Sequence, residues 1–372
     1  MQTSVKIGKI IGIPIKIHFS FLFILAIFAW ALSLDTISIF GFTIGFGGLP
    51  ISTIDQIALS IVTAILIFIC VLLHELGHSY ITQKYGIIVD SITLFVFGGI
   101  SQSEEIPHEP KKEMKIAIIG PAVSLFLGGI FYMVYFFIKP FSTSVLMESV
   151  LVIFGSLSFY NFILAGFNLI PAFPIDGGRV LRAAFALKMK YQKATRTAVA
   201  IGKGFAVAMV IVGFFYNFWL ILIAIFVYFG ASQEERSTKI SMALEDKQVK
   251  DVMKQSFVSV TTQTSINELY STFEKNRDYS FPVFQNNELI GMVTLDDIKG
   301  LAKEKWDKGT VNDIMHNNVP TVSPDENAFS VFKELIRKNI DRFMVKERDT
   351  VVGTISKKDM IHAIQIAGIK SG

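Results

Sequence analysis

Cysteine is nearly missing from this chain: Cys70 is the only one in 372 residues, which excludes an intrachain disulfide framework. Charge is sparse too, at 18% of residues with a formal net charge of +4, so nothing points to nucleic acid as a partner. No Lys or Arg occurs between Lys16 and Lys84. The apolar run that follows Lys6 and Lys9 reaches about Leu34 without a small-residue cleavage site, which argues for a retained span rather than a removable signal peptide.

What is present is apolar. Hydrophobic residues make up 51% of the chain and aromatics 13%, with a mean hydropathy of +0.50, too high for an ordinary soluble protein. The character is uneven. Up to about Phe229 the chain is a series of stretches able to cross a hydrocarbon core of about 30 Å, and from about Gln233 it reads as soluble α/β. The expectation is a multi-pass α-helical membrane domain over 1–232, with six spans near 11–33, 57–83, 114–138, 150–170, 197–215 and 218–231. A linker over 233–246 and a soluble α/β pair over 247–304 and 305–372 follow. The last two spans, parted by little more than Tyr216 and Asn217, form a tight hairpin or one interrupted helix.

Lys and Arg set the orientation. The 34–56 loop has neither and goes outside. The 84–115 loop, with Lys84, Lys111, Lys112 and Lys115, and the 171–196 loop, with Arg179, Arg182, Lys188, Lys190, Lys193 and Arg196, go inside. The N-terminus and the soluble tail join them on the cytoplasmic side of a cell membrane, leaving Lys139 as the one basic residue in an outer loop.

Within the second span, "CVLLHELGHSYITQKYG" at 70–86 puts ionisable groups where they cost about 3 kcal/mol on insertion scales. His74 and His78, four apart, share one helix face a turn apart, and with Glu75 they form H-E-x-x-H. In that pattern the imidazoles bind zinc and the glutamate is the base for water. The alternative is a pair of histidines hydrogen-bonding across a helix bundle, which leaves Glu75 without a purpose. A catalytic zinc takes a third protein ligand. His18 reads as interfacial, His108 lies in a charged loop, and His316 and His362 lie in the soluble tail. Cys70, one turn before His74, reads as a packing residue.

"FNLIPAFPIDGGRVL" at 167–181 offers a better third ligand in Asp176. Pro171 and Pro174 break the helix, and Gly177 and Gly178 admit unusual backbone angles. Such a break at membrane depth needs protein or a water-filled cavity to receive it. A helix-capping role for Asp176 is the competing reading. His78 lies six residues before Lys84, about 9 Å along a helix, and the fourth span also runs inward, so both halves of the site fall toward one side.

H-E-L-G-H in one span together with N-L-I-P-A-F-P-I-D-G-G after a later one resembles the site-2 protease family, over about residues 10–230. The resemblance implies an intramembrane zinc endopeptidase that cuts transmembrane protein substrates, with His74, His78 and Asp176 as zinc ligands and Glu75 as catalytic base. It also implies that Asn168 orients substrate or the tetrahedral intermediate, and "GPAVS" at 120–124 matches a family-like element of the third span. The β-branched segment 89–105, with Gly98-Gly99 in its second half, is expected to form a strand or re-entrant hairpin whose edge pairs with extended substrate. An amphipathic loop on the membrane surface is the alternative.

Residues 249–297 and 311–359 repeat without gaps at an offset of 62, "VKDVM" recurring as "VNDIM" and "LIGMVTLDDI" as "VVGTISKKDM". Two copies mean a duplicated domain rather than a solenoid. The pair looks like tandem CBS domains, which implies contacts from Thr294 with Asp297, and Ser356 with Asp359, to the ribose of an adenine nucleotide such as ATP or AMP. Helix capping uses the same residue types, so a structural or dimerising role stays open, with a homo-oligomer through the pair as a further expectation. Met344 stands where the first copy has Pro282, a difference between the two sites. A transporter or channel with a regulatory tail, or a catalytically silent membrane adaptor, are the competing functions.

Overall fold

Alternation decides how the chain begins. In the computed structural model, which describes residues 4–370 apart from 97, 104–108, 287, 300, 302, 304, 305, 307 and 349, Ile13 and Ile15 are fully buried while Pro14 and Lys16 lie between them. That is the period of a strand. β1 (Ser4–Ile10) and β2 (Ile13–His18) form an antiparallel hairpin, turning through Ile11 and Gly12 at φ of +52° and +78°. The first expected span is therefore helical only from Phe19. α1 (Phe19–Leu34), at 16 residues or about 24 Å, is shorter than a typical hydrocarbon core. Hydropathy alone merges β2 with the helix that follows it.

A small hairpin, β3 (Ile37–Ile39) with β4 (Phe42–Ile44), precedes α2 (Thr53–Lys84), which the Ser52 hydroxyl caps by accepting from the Asp55 amide. β5 (Val89–Phe95) and β6 (Gly98–Ser103) follow, a hairpin where the surface-loop alternative had none. Residues 104 and 105 of the expected segment, and His108, lie outside the described residues. β2 and β5 run parallel, giving a four-stranded sheet in the order β1-β2-β5-β6, so β6 is an edge and β5 is interior. The sheet packs on α2 at the level of the H-E-x-x-H turn, where Ile13, Ile15, Val89 and Ile92 cluster with Leu76.

α3 (Pro110–Ile138), α4 (Val145–Asn168), α5 (Asp176–Ala186), α6 (Tyr191–Tyr216) and α7 (Phe218–Leu244) complete the first unit and lead out of it. The other five expected spans fall on α2, α3, α4, α6 and α7, and among the described residues five helices are long and apolar enough to cross a membrane, so six is not reached. α6 and α7 form the tight hairpin, Asn217 extended between them and Gly213 against Ile221. Helix continues to Leu244, through most of the expected linker, while the division into two compact units falls between Glu235 and Arg236.

The second unit repeats one pattern twice. β7 (Val260–Thr261), α8 (Ile266–Asn276), β8 (Ser280–Gln285), β9 (Glu288–Thr294) and α9 (Leu295–Lys299) form the first copy. β10 (Thr321–Val322), α10 (Ala328–Arg337), β11 (Arg342–Glu347), β12 (Thr350–Ser356) and α11 (Lys357–Lys370) form the second. Each copy has a three-stranded sheet over its own apolar cluster, with Phe281 in one core and Phe343 in the other. Symmetric backbone bonds tie them together: Lys254 pairs with Thr354, and 62 residues on, His316 pairs with Met292.

Candidate metal centre

The i, i+4 spacing on α2 brings the His74 and His78 Nε2 atoms to 3.2 Å from each other. Asp176, the first residue of α5, turns its carboxylate toward them, with Oδ2 2.9 Å from His78 Nε2 and 3.3 Å from His74 Nε2. The cap position of α5 is held by Ile175, and the carboxylate of Asp176, one residue on, faces the histidines. Donors on a tetrahedral ion at about 2.0–2.1 Å stand about 3.3 Å apart, so this triad fits zinc in spacing and in donor type. Among the described residues His74, His78 and Asp176 form a cluster able to hold a metal.

The outer nitrogens are held from α3. His78 Nδ1–H donates to the Ile116 carbonyl at 2.6 Å, which fixes the tautomer that leaves Nε2 free to ligate. His74 Nδ1 is hydrogen-bonded to Ser124 Oγ at 2.9 Å. Between these two residues, Gly120 faces the site: a Cβ there would stand 2.1 Å from His78 Nε2 and 2.7 Å from His74 Nε2. The "GPAVS" element thus supplies the wall behind the triad, a role not visible in the sequence.

Glu75, the next residue along α2, lies within electrostatic reach of His78 and Asp176. Its aliphatic stem packs on β6, where a Cβ at Gly99 would be 2.3 Å from Glu75 Cγ. The loop that carries Asp176 is held by close backbone approach: a Cβ at Gly177 would meet the Ile170 carbonyl oxygen at 2.2 Å, and neither Gly177 nor Gly178 has a positive φ. Space rather than unusual angles is what requires glycine there. Asn168 ends α4, where its Nδ2 donates to the Leu164 carbonyl at 3.0 Å, and among the described contacts it has none to the triad. Cys70 is buried in a separate apolar cluster with Ile67 and Val152 and is not part of the metal-binding group.

In the second unit, Asp297 accepts from the Thr294 backbone N–H and hydroxyl at 2.7 Å each, and Asp359 accepts from the Ser356 backbone N–H and hydroxyl at 3.0 and 2.5 Å. Both aspartates therefore cap their own helices. The remaining oxygen of each meets a nitrogen side chain from the opposite copy, His316 Nε2 on Asp297 and Lys254 Nζ on Asp359, both at 2.8 Å. The offset of 62 relates Lys254 to His316, so sequence could have paired these two. Burial would raise the Asp359 carboxyl, but the Lys254 ammonium and the Ser356 hydroxyl outweigh it and hold it below the ordinary range. Beside Asp359 lies a cavity of about 670 Å³, lined among others by Lys254, Arg277, Arg342, Ser356 and Lys357. Arg342 is 5% exposed and pairs with Asp278 at 3.0 Å, while its Nε has no hydrogen bond among the described residues.

Comparison with known proteins bears on both units. The model of peptidase family M50 matches residues 62–145 and 140–210, and that of the CBS domain matches 249–304 and 311–366. A zinc metalloprotease of Methanocaldococcus jannaschii is 37% identical over 373 residues, covering 100% of this chain and 98% of its own. Stage IV sporulation protein FB of Bacillus subtilis is 30% identical over 131 residues, 35% of this chain and 42% of its own. Among solved structures, the site-2 protease from Methanocaldococcus jannaschii matches at 37% identity and a TM-score of 0.42, covering 63% of this chain and 95% of that one.

Proposed function

This chain belongs to peptidase family M50, the site-2 protease family, and is a zinc metalloprotease with a tandem CBS pair; from that premise we propose that it cleaves membrane-anchored proteins within their transmembrane segments. The observation that carries the proposal is the contact between Glu75 and the edge strand β6. A transmembrane helix hides its carbonyls in its own hydrogen bonds, so a substrate must be drawn into extended form before it can be cut. An edge strand offers unpaired backbone groups to such a segment, and pairing with β6 would deliver the extended chain beside Glu75.

Geometry and the family motif together support the following roles. His74, His78 and Asp176 would hold the ion, which when bound supplies a Lewis acid that polarises the scissile carbonyl and acidifies water. Glu75 takes the proton from the attacking water onto its carboxylate and passes it to the departing amide nitrogen. Ser124 and the Ile116 carbonyl keep the imidazoles turned toward the ion through the reaction. Asn168, at the end of α4, orients the substrate or the intermediate once substrate is bound, in keeping with the family motif. The Lys and Arg distribution supports a site in the inner half of the bilayer, with the N-terminus and the CBS pair cytoplasmic.

The CBS pair binds an adenine nucleotide such as ATP or AMP, modulates cleavage, and joins two copies of the chain in a homo-oligomer. Charge distinguishes its two half-sites. Around Asp359 stand Lys254, Arg277, Arg342 and Lys357; at the positions 62 residues away stand His316, Asn339, Ser280 and Leu295. Phosphates suit the first set, so the Ser356–Asp359 site is favoured over the Thr294–Asp297 site.

The test is purified protein reconstituted with a membrane-anchored reporter, with the products mapped by mass spectrometry and ATP varied. A cut inside the reporter's transmembrane segment is expected, at a rate that changes with ATP in the wild type and not in Arg342→Ala. Cuts confined to soluble flanks would defeat the intramembrane reading. A rate indifferent to ATP, with no ATP bound, would defeat the nucleotide reading.

A further inference from the structure

The metal centre is assembled from two halves that are far apart in sequence: His74 and His78 lie on α2, and Asp176 arrives 98 residues after His78. α3 aligns the histidines through Ile116 and Ser124, so the spacing of the site depends on how α3 stands against α5. At that junction lies a buried charge cluster for which the chemistry above has no use. Glu113, in the first turn of α3 and one turn before Ile116, is 1% exposed, and Arg182, six residues after Asp176 on α5, is 6% exposed. Arg182 Nε donates to Glu113 Oε1 at 2.8 Å and Nη2 donates to the same oxygen. Tyr191 Oη donates to Glu113 Oε2 at 3.0 Å, so both carboxylate oxygens are engaged.

The guanidinium also meets two aromatic rings. Its Cζ lies over the Phe173 ring, 4.9 Å from the centroid, and over the Tyr191 ring, 5.0 Å from the centroid. Phe173 is a buried member of the loop that ends at Asp176. A third arm, Nη1, donates to Glu234 of α7 at 2.5 Å, and one turn earlier on α7 Gly230 lies against Pro174 of the same loop.

Buried ion pairs are poor sources of stability, since apolar residues of similar volume often serve as well or better. What an arginine fork lying over aromatic rings does supply is fixed geometry. We propose that Arg182 is a positioning residue for the metal centre: through Glu113 it sets α3 and the histidines, through Phe173 it sets the Asp176 loop, and so it holds the two halves of the ligand set at ligating distance. This rests on the zinc reading of His74, His78 and Asp176.

The test uses the full-length protein in detergent, loaded with zinc. Wild-type zinc content is measured first; a wild type that binds none would defeat the zinc reading itself. Arg182→Met keeps volume and removes the fork, and Arg182→Lys keeps charge and loses the fork. Both are expected to release zinc to a chelator about 10-fold faster or more, with kcat reduced and KM little changed, while the protein stays folded. Wild-type zinc release and kcat in a folded Arg182→Met protein, with only the melting temperature lowered, would overturn the proposal. Should Arg182→Met fail to fold, Tyr191→Phe and Glu234→Leu each remove one outer contact. Faster zinc release at unchanged melting temperature is expected from either, and wild-type release from both would overturn it equally.

Discussion

Gly99 of β6 and Glu75 of α2 are in contact so close that a Cβ on residue 99 would stand 2.3 Å from the Glu75 Cγ. A base that has to meet water and a leaving nitrogen in turn tolerates little displacement, and a misplacement of about 1 Å can cost about 100-fold. Gly99→Ala is therefore expected to lower kcat about 10- to 100-fold while zinc content stays stoichiometric. Wild-type kcat in that variant would show that the contact does not set the position of Glu75.

Gly120 stands behind the triad, with the two Nε2 atoms 2.1 and 2.7 Å from where its Cβ would be. Gly120→Ala puts a methyl group where the two imidazoles converge. Loss of zinc, read by atomic absorption on a protein that still elutes as folded, is the expected outcome; a full complement of zinc contradicts it.

Proline at the edge strand separates pairing with substrate from stability. Adjacent residues of an edge strand alternate between an N–H directed into the sheet and one directed outward. Of Ile100→Pro and Ser101→Pro, one is expected to lower the melting temperature by breaking a bond to β5. The other is expected to leave folding and zinc intact and raise KM several-fold. Thr93 is a poorer place for this test, because β5 is paired on both sides, Thr93 standing opposite Lys16 and Ile100. Two variants with wild-type KM would remove β6 as the substrate strand.

Asp359 makes the second unit acid-sensitive. Its carboxyl titrates below the ordinary aspartate value near 4, so the stabilisation it gives is complete above about pH 4 and is lost as pH falls through its lower folded value. Hydrogen exchange over 350–356, corrected for intrinsic rates, should show protection falling below about pH 4 in the wild type and a flatter profile in Asp359→Asn. Parallel profiles would contradict the assignment.

The cluster of His74, His78 and Asp176 was legible because each of its parts has a local signature: His74 and His78 by helical spacing, and Asp176 by the Pro and Gly residues around it. The repeat was legible because a fixed offset of 62 survives substitution. Residues 11–18 misled because hydropathy alone does not separate a period of two from the first turns of a span; Ile13, Ile15 and Ile17 alternate with Pro14 and Lys16. Helix through 233–244 was hidden by polarity, since a change from apolar to charged residues marks the end of lipid contact and not of the helix. The contacts of Gly99 with Glu75, Gly120 with the imidazoles and Arg182 with Glu113 depend on strand order and helix packing, which no single segment encodes.

The central claim is that Glu75 is the base of an intramembrane zinc protease, and one measurement bears on it most directly: cleavage of a transmembrane reporter by purified wild-type and Glu75→Gln protein, each with its zinc content determined. The substitution removes the proton acceptor and leaves His74, His78 and Asp176 in place. Full zinc content with kcat reduced by at least about 100-fold is the result predicted. Glu75→Gln protein that cleaves the reporter at the wild-type rate would contradict it.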